Sequence, residues 1–116
     1  MRKLILAAVL LGATAVPTFA AVGAGMFFAV VTASGNVAYS LGVAEVNRIQ
    51  TGVFAVTFTR KINTCSSVAT ITGSTAGYAT ATASKELLTV RTFNMSGTAA
   101  NLPFNVTVLC GAAPGA

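Results

Sequence analysis

Apolar and polar side chains alternate along much of this chain with a period of two, and clusters of Gly, Pro, Asn and Ser break the alternation into short runs. The clearest run lies in Gly52 to Cys65 (GVFAVTFTRKINTC), where Phe54, Val56 and Phe58 share one face and Val53, Ala55, Thr57 and Thr59 the other. β-Branched and aromatic residues suit a pleated, half-buried surface, and Gly52 and Asn63 bound the run as turn residues. This stretch is expected to be the central strand. Burial of Phe54 and of Phe58 is worth roughly 1.5–3 kcal/mol each.

The remaining runs are read in the same way. Met26 to Thr32 (MFFAVVT) is apolar almost throughout and ends at Ala33-Ser34-Gly35-Asn36, so a first strand turns into a second at Val37 to Ser40. Leu41-Gly42 interrupts the pattern. Val43 to Ile49 follows, where strict alternation puts Val43 with Glu45 and sets Ala44, Val46 and Arg48 opposite. After the central strand, Ser67, Ala69 and Ile71 run in phase with Cys65, and Gly73 to Gly77 is a turn. Tyr78 to Ser84 alternates Ala79, Ala81 and Ala83 against Tyr78, Thr80 and Thr82, which gives one unusually small face. Leu87 to Phe93 is the next strand and Asn94 to Asn101 a polar loop. In the last strand Phe104, Val106, Val108 and Cys110 fall in phase. Ser34 to Ala38 and Ser96 to Ala100 are alike, consistent with two equivalent hairpin loops but too short to define a repeat. Eight short strands without a helical period predict an all-β fold, an antiparallel, jelly-roll-like β-sandwich.

The first twenty residues stand apart from this pattern. Arg2 and Lys3 precede an apolar run from Leu4 to Val16, and Thr18-Phe19-Ala20 offers small residues at −3 and −1, the layout of a secretory signal helix cleaved after Ala20. The apolar run is shorter than the roughly 20 residues of a membrane span, and Pro17 interrupts it. The expected organisation is a signal peptide over residues 1–20, a β-sandwich domain over 21–110 and a small-residue tail over 111–116. Export implies a secreted, periplasmic or cell-surface location, with no membrane span after signal removal.

Of the formal charge of +5, Arg2 and Lys3 carry two, which leaves Arg48, Arg60, Lys61, Lys85 and Arg91 against Glu45 and Glu86, a net charge of +3. Only Arg60 and Lys61 adjoin, too little clustering for a nucleic-acid partner. A surface so poor in charge fits a subunit that buries part of itself in an assembly. Cys65 and Cys110 are the whole cysteine inventory. In an exported chain they pair most simply with each other, the alternatives being a reactive thiol or an intermolecular bridge.

Phe28-Ala29-Val30-Val31, Ser34-Gly35, Gly42-Val43, Gly52 with Val56-Thr57-Phe58, Cys65 with Val68-Ala69-Thr70-Ile71, Ser96-Gly97, Pro103-Phe104 and Val108-Leu109-Cys110 together resemble, in order and spacing, a family of small exported bacterial β-domains. The resemblance runs from about Phe28 to Cys110. It implies a small β-domain and brings with it no activity, cofactor or catalytic residue. Where Lys61 stands, that family usually carries an acidic or polar residue.

Candidate chemistry is sparse. The chain has no histidine, aspartate or tryptophan, and Glu45 and Glu86 are the only carboxylates available as an acid and nucleophile pair. Ser84-Lys85 lacks the spacing of a serine–lysine catalytic motif. The expected function is that of a non-catalytic structural or interaction protein of the bacterial cell exterior. It needs no cofactor or metal and self-associates as a homo-oligomer or meets a surface polymer or another exterior protein. The Ala79, Ala81, Ala83 face is a candidate contact between copies, or packs inside the sandwich against Phe54 and Phe58. An alternative is a monomeric carbohydrate- or surface-binding module whose ligand contacts would be Tyr39, Tyr78, Arg60 and Lys61. A second alternative is a pilin-like subunit completed by a donated strand.

Overall fold

The computed structural model describes residues 25–111; the expected signal segment and all but the first residue of the expected tail lie outside them. Strands form where the alternation places them: β1 (Gly25–Val31), β2 (Val37–Leu41), β3 (Val43–Gln50), β4 (Val53–Phe58), β5 (Ser66–Ile71), β6 (Gly77–Ser84), β7 (Leu87–Asn94) and β8 (Phe104–Cys110). No helix occurs among the described residues.

The strands make two four-stranded sheets, β2-β1-β8-β5 (sheet A) and β3-β4-β7-β6 (sheet B). Each sheet has an apolar face that must leave water, and the two meet as a sandwich. Phe54, Val56 and Phe58 of β4 and Leu88 and Val90 of β7 face Ala29 and Val31 of β1 and the in-phase residues of β8 across a buried core. The Phe54 and Phe104 rings meet edge to face at 4.9 Å between centroids, joining the two inner strands of different sheets. β4 is flanked by β3 and β7 and is central, as its pattern predicts.

One expected phase is wrong. Val43 pairs with Phe58 but Glu45 pairs with Thr57, so β3 carries one extra residue against its partner. This bulge shifts the alternation by one position. Val43 and Val46 therefore both pack against the core, and Glu45 turns outward instead of sharing a face with Val43.

The chain crosses from sheet A to sheet B between β2 and β3 through a single residue, Gly42. Its φ of 75° is left-handed, and a Cβ there would lie 2.3 Å from the Phe27 ring, so no larger residue fits this corner. The two similar loop segments are geometrically equivalent. In one, Thr32 N–H donates to the Asn36 carbonyl (2.8 Å) and Gly35 N–H to the Thr32 carbonyl (2.9 Å); in the other, Asn94 N–H donates to the Thr98 carbonyl (2.9 Å) and Gly97 N–H to the Asn94 carbonyl (3.0 Å). In both, the side-chain oxygen of the first residue accepts from the fifth residue's N–H. Both glycines have positive φ, as a three-residue hairpin loop with a glycine bulge requires.

Cys65 and Cys110 are bonded, with Cα atoms 4.6 Å apart. Cys65 immediately precedes β5, and Ser66 pairs with Leu109, so the bridge links neighbouring strands of one sheet rather than the two sheets. Buried Thr92 donates its hydroxyl to the Ala100 carbonyl, and Gly52 N–H donates to Asn101 Oδ1 (2.8 Å), which ties the β3–β4 turn to the β7–β8 loop.

Candidate functional site

The alanine face of β6 turns inward. Ala79, Ala81 and Ala83 are half-buried and pack against the core, and the inward side of β5 presents Ala69. These small side chains let β5 and β6, edge strands of different sheets, bring Cα atoms within 8 Å of one another, closer than the roughly 10 Å spacing of stacked sheets. The close approach that small residues permit is made by β5 of the same chain. The alanines thus take the second of their two expected places, packed inside the sandwich.

The residues considered for a ligand do not converge. Tyr39 on β2 pairs with Val30 and lies on the outer face of sheet A. Tyr78 on β6 pairs with Phe93 and stacks on its ring at 5.2 Å, on the outer face of sheet B. Arg60 and Lys61 stand in the β4–β5 connection. Arg60 Nε donates to the Lys61 carbonyl (2.9 Å) and its guanidinium lies 6.0 Å from the centre of the Phe27 ring, while Lys61 is exposed. Two tyrosines on opposite sides of a sandwich cannot grip one ligand. A depression of about 330 Å³ between the β5–β6 loop and Met95 is lined by small side chains and holds no ionisable group. Glu45 is exposed on β3, accepting from Asn47 Nδ2, and Glu86 lies in the β6–β7 turn. Among the described residues β2 and β5 are the edges of sheet A and β3 and β6 the edges of sheet B.

What the structure brings together is an apolar outer face on sheet A. On β1, Ala29 and Val31 are buried, so Met26, Phe28 and Val30 point away from the core; the ladder puts Leu41 beside Phe28 and Tyr39 beside Val30. Leu109 on β8 and Val68 on β5 lie on the same outer side. Met26, Tyr39, Leu41 and Leu109 are at least half exposed, Tyr39 at 72%. The remaining outward residues of β5 and β8 are Ser, Thr and Asn. No charged residue stands on any strand of sheet A. The β1–β2 half of this face is the candidate interaction surface.

Sequence reading missed this face. An apolar run such as Met26 to Val31 has no polar side to mark which face is outward, so it reads as buried on both. The available signal was the absence of charge from Met26 through Ala44, within a fold whose sheets ordinarily show water a polar face. Comparison with known protein families, with characterised proteins and with solved structures finds no match.

Proposed function

We propose that this chain is a non-catalytic structural or interaction protein of the bacterial cell exterior that works by self-association. The uncharged apolar outer face of sheet A carries this reading. Exposure of Met26, Tyr39, Leu41 and Leu109 to water is unfavourable, and covering them is worth roughly 25 cal/mol for each Å² removed from solvent. The signal-like first twenty residues, the Cys65–Cys110 bond and the resemblance to small exported β-domains support an oxidising location outside the cytoplasm.

The test is to express the full chain in a bacterium, fractionate the cells and measure the mass of the exported product by light scattering. A chain beginning at Ala21, outside the cytoplasm and heavier than one copy, is the expected result. An unprocessed cytoplasmic chain, or a clean monomer at high concentration, would refute the reading.

A further inference from the structure

We infer that the end of the sandwich at which β1 begins docks on the surface of an anionic lipid bilayer. This goes beyond the self-association proposed above and uses a different surface, so each can fail without the other.

All odd-numbered strands begin at this end and all even-numbered strands finish there, because each follows its predecessor in the opposite direction. Sequence alone pairs only Arg60 with Lys61; the fold adds Lys85. Ile62 N–H donates to the Lys85 carbonyl (2.8 Å) and Phe58 N–H to the Glu86 carbonyl (2.8 Å), which holds the β6–β7 turn against the β4–β5 connection. Lys61 and Lys85 are exposed, and the Arg60 guanidinium lies beside the Phe27 ring near the start of β1. Glu86, the one carboxylate at this end among the described residues, is half-buried. The connections at the opposite end, 32–36, 51–52, 72–76 and 95–103, contain no charged residue. Lys85 is also the only non-glycine residue with positive φ (55°) among the described residues, in a two-residue hairpin turn that asparagine or glycine would occupy at less cost. What lysine adds there is a cation at the tip of the turn.

The surroundings of these cations favour a bilayer over a soluble polyanion. Met26 near the start of β1, Leu41 at the end of β2, Leu87 at the start of β7 and Leu109 near the end of β8 are all exposed at this end. A soluble polyanion would neutralise the lysines and leave these side chains in water, whereas a bilayer interface accepts both. Chain length agrees. β1 begins at Gly25, five residues after the expected cleavage point at Ala20, so at most about 18 Å of extended chain separates this end from the signal segment. That agreement rests on the export proposed above, which cell fractionation tests separately.

The experiment is co-sedimentation of the exported protein with vesicles of phosphatidylcholine alone and of equal parts phosphatidylcholine and phosphatidylglycerol, each variant first checked for a wild-type β circular dichroism spectrum. The wild type should bind the mixed vesicles only, less tightly as salt rises. Lys85→Asn should weaken binding about fivefold, the worth of one cation near an anionic surface, and should unfold no more easily than the wild type because asparagine accepts the left-handed turn. Ser74→Glu, an equal change of net charge at the opposite end, should have less than about twofold effect, since its charge lies beyond a Debye length from the lipid. Leu87→Ser, on the outer side of sheet B and away from the self-association face, should weaken binding without altering its salt dependence. Equal losses in Lys85→Asn and Ser74→Glu would mean that binding follows net charge alone, with no docking end. Unchanged vesicle binding by Leu87→Ser, together with binding of soluble polyphosphate, would assign the cations to a soluble polyanion instead. No binding of the wild type to mixed vesicles at low salt would overturn the inference, whatever mass light scattering reports.

Discussion

The two outer faces of this sandwich are built on the same plan and differ in chemistry. Sheet B shows water Thr80, Thr82 and Ser84 along β6, Thr89 and Arg91 on β7, and Glu45 and Asn47 on β3. Sheet A shows Met26, Phe28, Val30, Tyr39 and Leu41 along β1 and β2. Both sheets turn equally apolar faces to the shared core, so folding alone does not require the difference. An antiparallel sheet in a sandwich needs only one apolar face. Where the second is also apolar, the difference between the faces is what supports the proposed self-association.

The largest expected effect falls on both sheets at once. Phe54→Ala removes a ring in edge contact with Phe104 from the centre of the core and should cost about 3–5 kcal/mol, a large part of the roughly 5–15 kcal/mol that stabilises a typical domain. Chemical denaturation should show the midpoint collapse. A loss below about 1 kcal/mol would mean the sheets are not held by this contact.

Replacing both cysteines by serine should cost about 4 kcal/mol, since the bond closes a separation of 45 residues. Because the bond joins β5 to β8, hydrogen exchange should quicken in sheet A more than in the β4–β7 ladder of sheet B. Equal loosening of both sheets would contradict that asymmetry.

Thr92→Val makes the opposite comparison. It removes the hydroxyl that donates to the Ala100 carbonyl, at a cost of about 1–3 kcal/mol, and should loosen the β7–β8 loop and the β3–β4 turn first. Urea midpoints and amide exchange at Gly52 and Ala100 report it. Unchanged exchange at both amides would mean the hydroxyl does not hold the two segments together.

The smallest stability effects come from the outer faces themselves. Leu41→Ser and Thr82→Ala should each change the monomer's unfolding free energy by about 0.5 kcal/mol or less. Only Leu41→Ser should alter oligomeric mass. If both shift it, or neither does, the distinction between the faces fails.

Much of this was legible in the sequence for definite reasons. Period-two runs bounded by turn residues reveal strands one at a time, and in-phase cysteines on apolar faces reveal a bond. Assignment of strands to sheets was not legible, because alternation says which face is buried but not by what. The alanines of β6 are the instructive case. Their size signals close approach, yet only the topology shows that the approaching backbone is β5. The β3 bulge hid the partnership of Val43 with Val46, since an inserted residue leaves no compositional mark in a strand. The continuous apolar run of β1 concealed the outer face of sheet A because it lacks the polar alternate positions by which an outward face is recognised.

The chain contains two tyrosines and no tryptophan, and the tyrosines lie on opposite outer faces. Tyr78→Phe leaves Tyr39 on sheet A as the sole emitter, and Tyr39→Phe leaves Tyr78 on sheet B. Collisional quenching of tyrosine emission, measured as protein concentration rises through the range of the proposed self-association, reads the two faces separately. Tyr39 should become protected as concentration rises while Tyr78 stays equally accessible. Tyr39 quenched alike at every concentration, or Tyr78 protected in its place, would contradict the assignment of the contact to sheet A.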